Sequence, residues 1–186
     1  MSCTYLVLTG GASSRLGTDK ASLVLDDVSL RDRMCAALSV GQVHELGADL
    51  AGGPASAIIE FLPRVSTRLV GLVAVDMPFA APLVLRLAAE WDPSSGHDGV
   101  VPVDAAGREQ WLCSVFETTA LAGAADRFRV DGSTRPGVAM RTLVADLSIM
   151  RVPLTDADIV MVMDIDTRED LAAVRSLMER GNAGGA

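Results

Sequence analysis

The apolar residues fall into two periods. Residues 4–8 and 69–75 are apolar almost without a break. Runs of that length bounded by turn residues mark parallel strands buried on both faces. Shorter runs at 99–103, 112–116, 149–152 and 159–163 also read as strands. Between them the spacing becomes helical, with Leu30, Met34 and Leu38, then Ile58, Ile59 and Leu62, then Leu83, Leu87 and Trp91, and last Leu171, Val174, Leu177 and Met178. Helix starts are marked by Ser29 with Asp32, by Pro54 and Pro82, and by Thr167 with Asp170. Two further helices are expected at 119–127 and 138–144. Residues 22–25 read as a short extended piece that turns back at Asp26 and Asp27.

Strands alternating with helices predict an α/β fold, a three-layer α/β/α sandwich with a mostly parallel sheet. Residues 1–180 form one domain in this reading and 181–186 a disordered tail. One stretch breaks the rhythm. A helix after the first strand should return through a second strand, yet residues 39–53 hold only the weak candidate Val40–Leu46 and a glycine-rich loop. The expectation is that a strand beside the first one is lost, or that the sequence is short of residues there.

Aromatic residues make up 4% of the chain against 49% hydrophobic residues, so the core must be aliphatic. Cys3, Cys35 and Cys113 are isolated and lack metal-ligand spacing, which fits reduced thiols and a cytoplasmic location. No apolar run reaches the length of a membrane span, and no basic region precedes the first run. The net charge of −8 argues against broad nucleic-acid binding. It leaves room for an anionic small substrate if local cations focus the field.

Those cations lie directly after the first strand, in Leu8-Thr9-Gly10-Gly11-Ala12-Ser13-Ser14-Arg15-Leu16-Gly17-Thr18-Asp19-Lys20. Paired glycines let backbone N–H groups approach an anion, and Arg15 and Lys20 add full charges. Lys20 is the only lysine; the other fifteen of the sixteen basic residues are arginines. The spacing is neither that of the common P-loop nor that of the dinucleotide fingerprint. At the far end of the second buried run stands Asp76, and 163–167 carries Asp164 and Asp166, on one side of an extended chain. In parallel α/β sheets ligands sit at the carboxyl ends of the strands, so the glycine loop and Asp76 should meet in one crevice.

The loop resembles, nearly residue for residue, the signature of the MobA-like nucleotidyltransferases, Leu-x-Gly-Gly-x-Ser-x-Arg-Met/Leu-Gly-x-Asp-Lys. Asp76-Met77-Pro78 resembles that family's metal motif. The stretch 164–170 resembles its Asn/Asp-hydrophobic-Asn/Asp-Thr-Pro-Glu-Asp segment, with Arg168 in place of the proline. The resemblance implies a Rossmann-like sheet of nucleotidyltransferase type, with the N-terminal half binding nucleotide and the C-terminal half binding the acceptor. It implies Mg2+ on Asp76 and Asp166, and a nucleotide held by Leu8, Thr9, Gly10, Gly11, Arg15, Lys20 and, for the base, Asp49. Arg15, Lys20 and Asp76 become the catalytic candidates.

Within the family the resemblance is nearest to the branch that transfers GMP. It implies GTP as donor, molybdopterin or molybdenum cofactor as acceptor, and pyrophosphate as product. With a strand lost at 39–53, a nucleotide bound at this edge would meet relaxed base discrimination. The acceptor's phosphate is already anionic, so no protein base is required, in keeping with His44 and His97 lying away from the motifs. Arg108, Gln110 and Arg135 are weakly marked candidates for the acceptor. A sister enzyme using CTP or another phosphorylated acceptor is the alternative. A nucleotide-binding module without catalysis is the alternative of another class, and intact Arg15, Lys20 and Asp76 count against it. The protein is expected to act as a monomer, with passing contacts to other cofactor-biosynthesis proteins.

Overall fold

The structure is a computed structural model that describes residues 2–10, 20–47, 52–130 and 133–183. The chain opens with β1 (Cys3–Leu8). A single 3-10 turn at Lys20–Ser22 leads into the hairpin of β2 (Val24–Leu25) and β3 (Val28–Ser29). Asp26 and Asp27 both take positive φ, 48° and 60°, the two-residue turn whose twist suits a hairpin. Then follow α1 (Leu30–Ala37), β4 (Gln42–Leu46), α2 (Pro54–Phe61), β5 (Leu69–Ala74) and α3 (Ala81–Ala89). The second half holds β6 (Gly99–Val103), β7 (Cys113–Glu117), α4 (Thr118–Asp126), β8 (Arg129–Val130), β9 (Ser133–Thr134) and α5 (Met140–Leu143). It closes with β10 (Ile149–Pro153), α6 (Asp156–Ile159) and α7 (Arg168–Ala183).

Six strands form one sheet in the order β4-β1-β5-β7-β6-β10. Only β7 runs antiparallel to its neighbours. Alternation along the central strands divides their side chains between two cores. Tyr5, Val7, Leu69 and Val73 face α1, α3 and α7, meeting Leu30, Met34, Leu38, Leu83, Leu87 and Val174. Leu6, Leu8, Val70 and Leu72 face α2, α4 and α5, meeting Ile58, Ile59, Leu121 and Leu143. Every residue of β1 and β5 is buried, which is why both read as unbroken apolar runs. Each fully buried aliphatic side chain contributes about 1.5–3 kcal/mol. The Tyr5 ring lies between two glycines: a Cβ at Gly41 would come within 2.7 Å of it and one at Gly71 within 2.6 Å.

The expected gap beside the first strand does not exist. β4 pairs with β1 in parallel from Thr4 opposite Gln42 to Leu8 opposite Leu46. It is an edge strand in which only Leu46 is buried and Val43 half-buried. A strand with one neighbour and one covered face needs no apolar run, so Gln42, His44 and Glu45 mask its period.

The strand expected at 159–163 is also corrected. Thr155 and Asp158 form a capping box that starts α6, and a 3-10 turn continues it through Val160–Val162. The cap outweighs the β-branched residues that follow. At the C-terminus α7 runs to Ala183, past the expected start of the tail.

Candidate active site

Three segments that bear polar side chains meet beyond the carboxyl ends of β1 and β5. The first leaves β1. The Leu8 carbonyl accepts from Val75 N–H at 3.0 Å, while Thr9 donates both N–H and Oγ1 to the Leu46 carbonyl, at 3.0 and 3.1 Å. The start of the glycine loop is thus held between β5 and β4. The chain returns at Lys20, whose side chain is 12% exposed.

The second segment is the turn after β5, which carries Asp76. Met77 N–H donates to the Ala74 carbonyl at 3.3 Å and Ala80 N–H to the Met77 carbonyl at 3.0 Å. The third segment approaches α7 and carries Asp166. Its Ile165 N–H donates to the Asp76 carbonyl at 3.0 Å. One oxygen of Asp170 accepts from Asp166 N–H, Thr167 N–H and Thr167 Oγ1 at 3.1, 2.8 and 2.8 Å. Thr167 Oγ1 in return accepts from Asp170 N–H at 3.1 Å. This reciprocal cap opens α7 and fixes the backbone that presents Asp166.

Lys20 closes the triangle. Its Nζ donates to Asp76 Oδ2 at 2.7 Å and to Asp166 Oδ1. Burial pulls the Lys20 ammonium down, but hydrogen bonds and charge from Asp166 and Asp76 more than offset this and its pKa ends above the ordinary lysine value. Asp164 is pushed up by burial, then by the charges of Asp166 and Asp76. Asp170 is held below the usual carboxylate range by the Thr167 hydroxyl and N–H.

A cavity of about 70 Å³ opens beside this cluster, lined by Leu8, Thr9, Gly10, Lys20, Pro54, Ala74, Val75, Asp76 and Leu112. Leu8, Thr9, Gly10, Lys20 and Asp76, singled out in the sequence, therefore share one crevice, and Asp166 reaches its lysine. Gly11, Arg15 and Asp49 lie outside the described residues. Arg108, Gln110 and Arg135 do not line the cavity. Sequence reasoning missed Leu112, which no motif marks; its carbonyl accepts from Ala74 N–H at 2.9 Å. It also treated Asp170 only as a helix cap.

Among the described residues no three His, Cys, Asp or Glu side chains cluster closely enough to hold a metal. Two carboxylates do converge on a single cation, the Lys20 ammonium. That donor set suits Mg2+, which takes one or two carboxylates and completes its shell with phosphate oxygens and water. No helix among the described residues is long and apolar enough to cross a membrane.

A mostly parallel α/β sheet with Gly10, a lysine and strand-end carboxylates at one crevice is the frame of a nucleotidyltransferase-type fold. The chain belongs to the MobA-like NTP transferase domain family, whose model matches residues 5–148. It is similar to a molybdenum cofactor guanylyltransferase from Sinorhizobium fredii, 33% identical over 104 residues, which are 55% of this chain and 46% of that protein. The match thus spans under half of that relative's length. In structure it is similar to molybdopterin-guanine dinucleotide biosynthesis protein A from Archaeoglobus fulgidus, with a TM-score of 0.75 at 19% identity over 95% of this chain and 99% of that one. It is also similar to 2-C-methyl-D-erythritol 4-phosphate cytidylyltransferase from Thermus thermophilus, with a TM-score of 0.66 at 20% identity over 95% and 98% of the two chains. These two likenesses establish the fold.

Proposed function

We propose that this nucleotidyltransferase moves GMP from GTP to the terminal phosphate of molybdopterin or molybdenum cofactor. An oxygen of the acceptor phosphate forms a bond to the α-phosphorus, the α–β bridging bond breaks, and pyrophosphate leaves with the bond's electron pair. The attacking oxygen carries charge already, so the protein's task is alignment and neutralisation. The observation that carries this reading is the meeting of Lys20, Asp76 and Asp166 at the mouth of the glycine loop. The guanylyl donor and the molybdopterin acceptor rest on the Sinorhizobium fredii relative.

In this reading Leu8, Thr9 and Gly10 meet the nucleoside through backbone groups. Gly11, Arg15 and Lys20 hold the phosphates, Asp49 meets the base, and Lys20 and Arg15 neutralise the leaving pyrophosphate. Asp76 and Asp166 would hold Mg2+, which when bound offsets charge on the phosphate oxygens. The likeness to a cytidylyltransferase keeps a CTP-using sister enzyme as the second reading.

A panel of GTP, CTP and ATP, with binding and pyrophosphate release measured on the purified chain, tests the proposal. GTP preference with molybdopterin-dependent release supports it. CTP preference supports the second reading, and binding without turnover under any acceptor means a nucleotide-binding module.

A further inference from the structure

We propose that Lys20 keeps the Asp76–Asp166 pair closed to a free divalent cation, so that metal enters only together with a phosphate that draws the ammonium away. The inference rests on the reading that this site takes a metal–nucleotide complex.

The geometry carries it. Lys20 Nζ lies between the two carboxylates, bonded to Asp76 Oδ2 and Asp166 Oδ1. Its side chain is 12% exposed, and those of Asp76 and Asp166 are 23% and 50% exposed. A cation bridging the same two oxygens would sit where the ammonium sits. Inner-sphere Mg–O distances are about 2.0–2.1 Å, so the metal and the ammonium cannot share those oxygens in one place. Asp76 and Asp166 are anchored from behind, through Ile165 N–H on the Asp76 carbonyl at 3.0 Å and Asp166 N–H on Asp170 at 3.1 Å. These bonds hold the backbone on which the two short carboxylate side chains are mounted. Lys20 has the longer reach, a flexible stem with a compact charge, and can withdraw its ammonium from between them.

A metal arriving alone must break two charge-assisted hydrogen bonds and brings the displaced ammonium no new acceptor in a part-buried site. A metal arriving with a triphosphate supplies new acceptors for it. Metal and nucleotide then raise each other's affinity by the same factor, as linkage requires. Lys20 thus sets the order of loading: a free cation is excluded, and a cation escorted by phosphate is admitted.

The test uses Mn2+ alone as probe, without nucleotide, on the full chain. Free Mn2+ is read by electron paramagnetic resonance. Lys20→Met is expected to bind Mn2+ at least tenfold more tightly than wild type, and Lys20→Met with Asp166→Asn to return to weak binding. Equal Mn2+ affinity in wild type and Lys20→Met, whether tight or weak, overturns the inference. Retained tight binding in the double variant does so too.

Because Lys20 is the only lysine, a second measurement needs no variant. Its rate of reductive methylation in wild type, read by mass spectrometry, should be unchanged within about twofold by Mn2+ alone. A rate that rises with Mn2+ alone shows that the metal evicts the lysine unaided and overturns the inference. Both measurements omit nucleotide, so their failure leaves the nucleotidyl-transfer reading intact. That reading falls separately, if the nucleotide panel shows no turnover.

Discussion

The backbone N–H of Ile165 donates to the carbonyl oxygen of Asp76 at 3.0 Å, joining two segments far apart in sequence at the point where each presents a carboxylate. Backbone rather than side chain makes the joint, so substitution at Asp76 or Asp166 leaves it in place. The carboxylates can therefore be tested without disturbing the scaffold that aims them.

Asp76→Asn is expected to lower the rate far more than it lowers nucleotide affinity. Phosphate charge builds most in the transition state, and in the proposed reading a lost carboxylate would weaken the hold on Mg2+ where that charge develops. Each tenfold loss of rate corresponds to about 1.4 kcal/mol. Steady-state kinetics beside equilibrium GTP binding checks this. A rate unchanged at saturating Mg2+ would place the metal elsewhere.

Lys20→Ala is expected to remove most activity while the thermal midpoint stays within a few degrees of wild type. The lysine bonds two carboxylates at the edge of a cavity, and the change removes no residue of either apolar core. Lys20→Arg should be impaired as well, because a planar fork does not replace a compact charge between two oxygens. Turnover near wild type in either variant would remove Lys20 from the chemistry.

Asp170 acts on the site at one remove. Its carboxylate gathers three donors, one of them the N–H of Asp166. Asp170→Ala should cost about 1 kcal/mol in unfolding free energy, the usual loss of a helix cap. It should also lower kcat more than it raises the KM for GTP, since the backbone beneath Asp166 is released. Asp170→Asn should recover most of the stability and part of the rate. A stability loss with kcat unaltered would make the residue a cap and nothing more.

Acid stability gives an independent check on two caps. Burial raises the Asp158 carboxyl, but Thr155 N–H and Oγ1, at 3.0 and 2.7 Å, and Arg86 Nη2 at 2.6 Å outweigh it and hold it below the ordinary range. Asp170 is depressed in the same way. A folded-state value below the unfolded one, about 3.9 for Asp, means that the unfolded chain binds protons first as pH falls. The stabilisation is full above about pH 4 and declines as pH drops through the depressed folded values. Urea unfolding between pH 7 and pH 3 should show this decline, and Asp158→Asn should flatten it. An equal slope in that variant would mean that Asp158 carries none of it.

Much of this arrangement was legible in the sequence because the residues that build it answer to one dominant force. β1 and β5 are buried on both faces, and their apolar runs say so. Lys20 and Asp76 could be brought together on paper because ligands gather at the carboxyl ends of parallel strands. The failures lie where two forces compete. β4 sits at an edge, so its polar residues are solvated and its period is hidden. The 159–163 run has strand composition, yet the Thr155–Asp158 box upstream commits it to helix. Leu112 reaches the site through antiparallel β7, the strand that breaks the parallel rule on which the sequence argument stood.

The correction at β4 changes what base selectivity to expect. A missing strand would have opened one wall of the nucleoside pocket and relaxed the choice of base. Instead Leu46 is buried, and its carbonyl holds Thr9 by two hydrogen bonds at 3.0 and 3.1 Å. Among the described residues β4 stands beside the start of the glycine loop as far as Leu46. The chain should therefore discriminate among bases, with GTP bound more tightly than ATP or CTP. Base choice depends on a few directed hydrogen bonds, each contributing about 0.5–1.5 kcal/mol, or up to roughly tenfold in affinity. Asp49→Ala should accordingly cut the preference for GTP over ATP by up to about tenfold and leave ATP binding near its wild-type level, because in the proposed reading Gly10, Gly11, Arg15 and Lys20 would still hold the phosphates. Dissociation constants for GTP, ATP and CTP on both proteins decide the point. Equal losses for all three nucleotides would show that Asp49 supports the loop and does not read the base.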